Sequence, residues 1–348
     1  MSKGNNVEKM ENSNEEGMVM KSRSSQSCIR LGYTLYLSNF RKIFKAAWLP
    51  ALLYAICFSV IVTMGVIQYP RLNISVAIDP GSLMSVLGLY RLIFFIFIVS
   101  LIIGGLAEIF FYSAGYSLLM DHKVTGSIAR PTRWIAIDRT MLWRALKGML
   151  ATFLIIAVVS ALCVALGYLM SVIANKSADR EMVPAGLFAI PLLLIGLLVT
   201  LPVAFPMYKY IFTPGAKYWQ SLAAGYVEGM RHYGMLFITL MIGYIVVMIV
   251  SAVILLPAHI LSLANFQANI GMLYGDPLGM PDYIVTFTVV IMLIAGFAEA
   301  FIRLTVHFLM YYVYGSIETQ EEERRKFKAR QEAMAEEAVK ASARYIMK

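Results

Sequence analysis

Glu299, Arg303, His307 and Tyr311 follow one another at four-residue steps inside the last long apolar stretch, 283–315. On an α-helix such residues share one slowly drifting face. A carboxylate, a guanidinium and an imidazole in that order suit two kinds of chemistry. One is an ion pair that neutralises itself within the helix and holds the helix against its neighbours. The other is a relay for a proton or an ion. Charge inside an apolar helix is expensive, so either needs a partner or a water-filled cavity close by. The intrahelical Glu299–Arg303 pair is the expected arrangement. A second acid, Glu108, lies in Gly105-Leu106-Ala107-Glu108-Ile109-Phe110, a Gly-x-Ala-Glu-x-Phe pattern that recurs at Gly296-Phe297-Ala298-Glu299-Ala300-Phe301. Glu108 has no basic residue within one turn. It either stays protonated or finds Arg303 across the bundle.

The elements that carry these residues are set by composition. Apolar residues make up 59% of 348 and charged ones 15%, with a mean hydropathy of +0.69. A soluble domain needs a more charged surface. The apolar residues form six runs, near 46–69, 87–119, 148–173, 187–212, 235–263 and 283–315. Crossing a bilayer takes about 20 residues as a helix. Barrel strands would alternate apolar and polar residues, and these runs do not. The predicted fold is all-α, with six transmembrane helices in one bundle.

Charge sets the expected orientation. The first 45 residues hold eight Lys and Arg, 121–147 holds six, 209–232 holds three and the chain after Gly315 holds eight. The alternate loops hold four: Arg71, Arg91, Lys176 and Arg180. Lys and Arg gather on the cytoplasmic side, so both termini are expected there. Cys28, Cys57 and Cys163 suggest neither a disulfide framework nor a zinc site. The first apolar run begins about 45 residues in, so no cleavable signal peptide is expected. Asn73-Ile74-Ser75 and Asn175-Lys176-Ser177 match the glycosylation pattern, and chance is the preferred reading.

Residues 1–27 are polar and read as a disordered cytoplasmic tail. A membrane domain follows over 28–315, then a charged cytoplasmic helix over 316–348 with Glu-to-Lys and Glu-to-Arg pairs four residues apart. Three segments carry apolar stripes at helical spacing: 31–44, 134–147 and 216–233. The third runs Trp219, Leu222, Tyr226, Met230, Tyr233. Each reads as an amphipathic helix in the inner interface. Each precedes an outgoing span, an outer loop and a returning span, which gives three units over 28–120, 121–215 and 216–315. Pro191, Pro202 and Pro206 should kink span four. The last outer loop is expected over 264–282.

Arg41, Lys42, Arg139, Arg144 and Lys147 border these interfacial segments and are candidates for contact with anionic lipid headgroups, although simple anchoring needs no more than the same residues. They lie so close to the membrane that lipid is a nearer partner than nucleic acid. Enzyme signatures do not occur: there is no His-Glu-x-x-His, Gly-x-Ser-x-Gly or Gly-x-x-x-x-Gly-Lys-Ser/Thr pattern, and the four histidines are far apart. No cofactor is implied.

The sequence Asn39-Phe40-Arg41-Lys42-Ile43-Phe44, followed by a span with Pro50 in a six-span layout, resembles bacterial integral-membrane families of unknown function. The layout is also similar to the membrane domain attached to some glycerophosphodiester phosphodiesterases. Their catalytic domain has no counterpart here, so that activity does not carry over. The resemblance implies a multi-pass protein of the bacterial inner (plasma) membrane. The function expected is a non-enzymatic, lipid- or envelope-associated scaffold. A proton-coupled carrier using Glu108 and Glu299–Arg303 is the alternative, and self-association stays open.

Overall fold

Among the described residues, six helices are long and apolar enough to cross a membrane. The computed structural model describes residues 19–68, 70, 72–73, 76, 81, 83–128, 138–177, 184–275, 281 and 283–346. Within them the chain is helical and holds no strand. The helices are α1 (Ser25–Ser38), α2 (Phe40–Thr63), α3 (Leu83–Thr125), α4 (Arg139–Ser177), α5 (Gly186–Thr200), α6 (Ala204–Phe212), α7 (Tyr218–Arg231), α8 (Tyr233–Ile254), α9 (Leu256–Leu273) and α10 (Tyr283–Ile346). A π-helical turn, Met64–Gln68, ends α2, and a 3-10 turn, Leu201–Val203, joins α5 to α6.

Proline accounts for the two interrupted spans. Pro202 and Pro206 have no N–H to give to the carbonyls of Leu198 and Pro202 four residues earlier. Span four therefore passes from α5 through the 3-10 turn into α6, the predicted break. In span five, Pro257 leaves the Val253 carbonyl without its helical donor. The chain turns at Leu255, and α9 starts with Pro257 in its first turn. This corrects the predicted outer loop at 264–282, since α9 runs on to Leu273. No Gly or Pro interrupts 258–270, and the helix stops only at Tyr274 and at Gly275, whose φ of +90° suits glycine.

The amphipathic segments divide in the same way. Asn39 separates α1 from α2, so Phe40, Arg41 and Lys42 open the first span rather than end the helix before it. α7 is a free-standing 14-residue helix. The 134–147 segment differs: 134–137 lie outside the described residues, and Arg139–Lys147 are the first turns of one long helix. The 1–18 part of the expected disordered tail lies outside the described residues. Residues 19–24 are held in place: the Arg23 N–H donates to Ser316 Oγ at 2.8 Å, and that hydroxyl donates back to the Arg23 carbonyl at 3.0 Å. The charged tail is helical as expected, in continuity with span six through the 64 residues of α10.

By packing, the chain forms two units. One comprises Leu35–Leu146 and Met241–Phe308, the other Met1–Thr34, Lys147–Leu240 and Leu309–Lys348. They cut across the chain order of the three expected units. In the first, α2, α3 and the front of α10 meet through aromatic rings. Phe301 contacts Phe44 at 5.4 Å, Phe111 at 5.3 Å and Phe297 at 5.3 Å between centroids. The Tyr36 hydroxyl donates to the Phe301 carbonyl at 2.7 Å. Small residues permit this approach: a Cβ on Gly115 would lie 2.9 Å from Leu304 Cδ1, and one on Gly104 3.1 Å from Cys57 Cβ. In the second unit, α6 packs on the later part of α10, with Phe212 at 5.2 Å from Tyr311 and 5.6 Å from Tyr314.

Candidate functional site

Two helical ladders meet in the first unit. α3 carries Glu108, Tyr112 and Tyr116 at four-residue steps, and α10 carries Glu299, Arg303 and His307 at the same steps. Equal spacing lets rung meet rung. Arg303 Nη2 lies 3.1 Å from Glu108 Oε1, and Nη1 donates to the Tyr54 hydroxyl of α2 at 2.8 Å. The Tyr112 hydroxyl donates to the same Glu108 oxygen at 3.1 Å. One turn on, His307 Nδ1 and the Tyr116 hydroxyl are 2.9 Å apart, and the imidazole lies 4.2 Å from the Tyr112 ring. The Arg303 and Glu108 side chains keep 37% and 28% of their surface exposed, so the pair is neither fully enclosed nor fully open.

The expected Glu299–Arg303 pair is not what forms. Among the described residues no ion pair joins these two, and Glu299 Oε2 is buried without a hydrogen-bond partner. Arg303 reaches instead to Glu108, the cross-helix option. Local spacing allowed both. Joining Glu108 neutralises an acid that has no cation on its own helix, and Tyr54 and Tyr112 complete the hydrogen bonding around the pair. A lone acid can shed its charge by taking up a proton, which guanidinium cannot do by losing one. Tyr54 was missed from the sequence because a tyrosine in an apolar run carries no distinctive pattern.

The five candidate headgroup contacts are not gathered. Arg41 and Arg139 are exposed. Lys42 Nζ donates to the Ile128 carbonyl at 2.6 Å, just past the turn at Gly126. Arg144 is half-buried, and Lys147 is exposed and belongs to the second unit.

The second unit holds an ionic network that sequence reasoning missed. Glu228 of α7 binds Lys209 of α6 at 2.7 Å and Arg325 of α10 at 2.6 Å. Glu321 of α10 takes both oxygens to Arg231 Nη1, at 2.7 and 2.8 Å, and lies 3.1 Å from His232 Nε2. Lys209 also meets Glu318 at 3.0 Å. Both Glu228 and Glu321 are buried. The available signal was Glu228, the one acid between Lys209 and Arg231.

α7 also turns the opposite way from a soluble amphipathic helix. Its buried face is Tyr218, Ser221, Gly225, Glu228 and Gly229. Of the apolar stripe, Trp219 and Met230 point outward, 70% and 47% exposed, while Leu222, Tyr226 and Tyr233 are half-buried. The small residues let α7 lie against the broken span: a Cβ on Gly225 would come 2.8 Å from Pro206 Cβ, and one on Gly229 2.9 Å from the Pro202 carbonyl. The Tyr233 hydroxyl donates to the Leu198 carbonyl at 3.3 Å, and the Tyr226 hydroxyl to that of Val199 at 3.1 Å. Pro202 denies the Leu198 carbonyl its usual donor four residues on; besides the Tyr233 hydroxyl, that carbonyl accepts from the Leu201 N–H in the tighter 3-10 manner.

Among the described residues, no three of His, Cys, Asp and Glu converge as metal ligands. The chain matches no protein family, no curated protein and no solved structure.

Proposed function

We propose that this is a non-enzymatic, multi-pass membrane protein acting as a lipid-associated scaffold or accessory of the cell envelope. In this reading the six spans form one bundle in a bacterial inner membrane. Both termini are cytoplasmic, with α1, α7 and the first turns of α4 in the inner interface. The observation that carries it is Arg303, whose charge is met by Glu108 and Tyr54 on two other helices. A guanidinium fixed by two helices ties them together. The test is a cycle of three variants. An unpaired charge at the bilayer centre costs about 2.5–3.5 kcal/mol on insertion scales. Arg303→Ala should therefore lower the detergent melting temperature and the abundance in membranes. Glu108→Gln with Arg303→Gln should recover much of both, because the two charges leave together. An Arg303→Ala protein as stable as the parent would end the structural reading.

One observation favours the proton-coupled carrier as a second reading. Glu299 Oε2 is buried one turn from the Glu108–Arg303 pair and has no hydrogen-bond partner. A carboxyl in that position can take up and release a proton without dismantling the pair. Proteoliposomes loaded with a pH dye would separate the readings. A proton leak that Glu299→Gln abolishes favours the carrier; parent and variant vesicles equally tight to protons favour the scaffold.

A further inference from the structure

The flank of α7 between its outward apolar stripe and its buried face closes against α10 to form a cleft of about 330 Å³. Ala224, Val227, Glu228 and Arg231 line it from α7; Glu321, Arg324, Arg325 and Lys328 line it from α10. Four cations face two carboxylates. The carboxylates are deep and already engaged, Glu228 by Lys209 and Arg325, Glu321 by Arg231 and His232. The outer cations are less used: Arg324 reaches Glu321 only at 3.7 Å, and Lys328 has no ion-pair partner among the described residues. The mouth therefore keeps an excess of positive charge, with guanidinium donors in a fork that matches phosphate oxygens. Beside it stand Trp219, Val227 and Met230, all exposed. These are the groups that sit among acyl chains in an interfacial helix.

We propose that this cleft binds a phosphate group, through Arg231, Arg324, Arg325 and Lys328, while the exposed face of α7 contacts the chains of the lipid that bears it. A purely structural network would need only as many cations as it has acids. This one has two in excess, both on the open side and both close to an apolar surface. The basic run Arg324, Arg325, Lys326, Lys328 and Arg330 follows the last apolar stretch after the acids Glu318 and Glu321 to Glu323, on the side where anionic lipid is expected. The inference rests on the lipid-associated reading. It fails separately from it, since the test of that reading lies at Glu108 and Arg303 in the other unit.

The experiment titrates the full-length protein in detergent with short-chain phosphatidylglycerol, with phosphatidylcholine of equal chain length, or with inorganic phosphate. Bound ligand is counted by native mass spectrometry. Arg324→Gln with Lys328→Gln removes two cations from the mouth. Lys326→Gln with Arg330→Gln removes the same charge from α10 outside the cleft. Each interfacial Lys or Arg near anionic lipid contributes about 1 kcal/mol, so losing two should weaken phosphatidylglycerol binding by about tenfold or more. The control pair should change it less than about threefold, with melting temperatures matching the parent. Inorganic phosphate binding as tightly as phosphatidylglycerol, and lost in the same cleft pair, would keep the phosphate site but make a free phosphate its ligand and overturn the lipid part. Equal losses in both pairs, or none in the cleft pair, would overturn the site.

Discussion

The two glutamates of the repeated Gly-x-Ala-Glu-x-Phe pattern differ in what surrounds them. Glu108 balances Arg303 and accepts from Tyr112; Glu299 presents a buried oxygen to no donor. Removing a partner from a pair strands the other charge, whereas removing an unsatisfied polar group relieves a desolvation cost of about 1–3 kcal/mol. Glu108→Leu should therefore lower the melting temperature in detergent, and Glu299→Leu should leave it unchanged or raise it. If both fall alike, Glu299 has a partner in the membrane. Spacing in the sequence identified Glu108, Glu299, Arg303 and His307 but not which acid takes Arg303, because i, i+4 geometry describes one helix and says nothing about its neighbours. Cys28 gives a second prediction at this scale. Burial pushes its thiol up to about 11, against an opposing pull from Arg23, and the residue is fully buried in α1. The reactive species is the thiolate, which is scarce at pH 8 for such a group. A thiol reagent at pH 8 should modify Cys28 only after denaturation; reaction in the folded protein would show that α1 leaves its seat.

At the scale of the element, α7 is explained by the span it covers. Prolines break span four; α7 brings the Tyr226 hydroxyl to the Val199 carbonyl and small residues to the surface beside it, and Tyr233 at the start of α8 reaches the Leu198 carbonyl. Gly225→Val should clash with Pro206, an overpacking cost of about 1–3 kcal/mol, and lower expression and melting temperature. Ala223→Val, on the exposed face, should do neither. Equal tolerance of both would mean that α7 is not seated on α6. The stripe Trp219, Leu222, Tyr226, Met230, Tyr233 was legible as a helix face, but the side it turns to was not. In water an apolar face seeks the core, whereas beside a bilayer it is equally satisfied by lipid. The extent of α9 was hidden because the glycines, prolines and aspartates of 271–282 read as loop, whereas the helix before them runs on to Leu273 and buries Asn265 and Asn269.

For the whole molecule, hydropathy made the six spans legible, because their apolar length is set by the bilayer and not by partners. The packing into two units was not legible, since it joins segments far apart in sequence and divides α4 and α10 between units. Orientation depends on charge alone, and it is the property best tested on the intact protein. Segments expected inside carry 25 Lys and Arg against four in those expected outside. Such an imbalance in loops close to the spans fixes which side stays in the cytoplasm. In a Cys28→Ala, Cys57→Ala, Cys163→Ala background, single cysteines at Asp79→Cys and Asp282→Cys should react with a membrane-impermeant maleimide in intact cells. Ser127→Cys and Lys217→Cys should react only after permeabilisation. An odd number of crossings would show as Asp79 and Asp282 labelling from opposite sides, and labelling of Ser127→Cys in intact cells would invert the topology. Inversion would also move the α7–α10 cleft to the outer face, away from the anionic leaflet that its proposed lipid ligand requires.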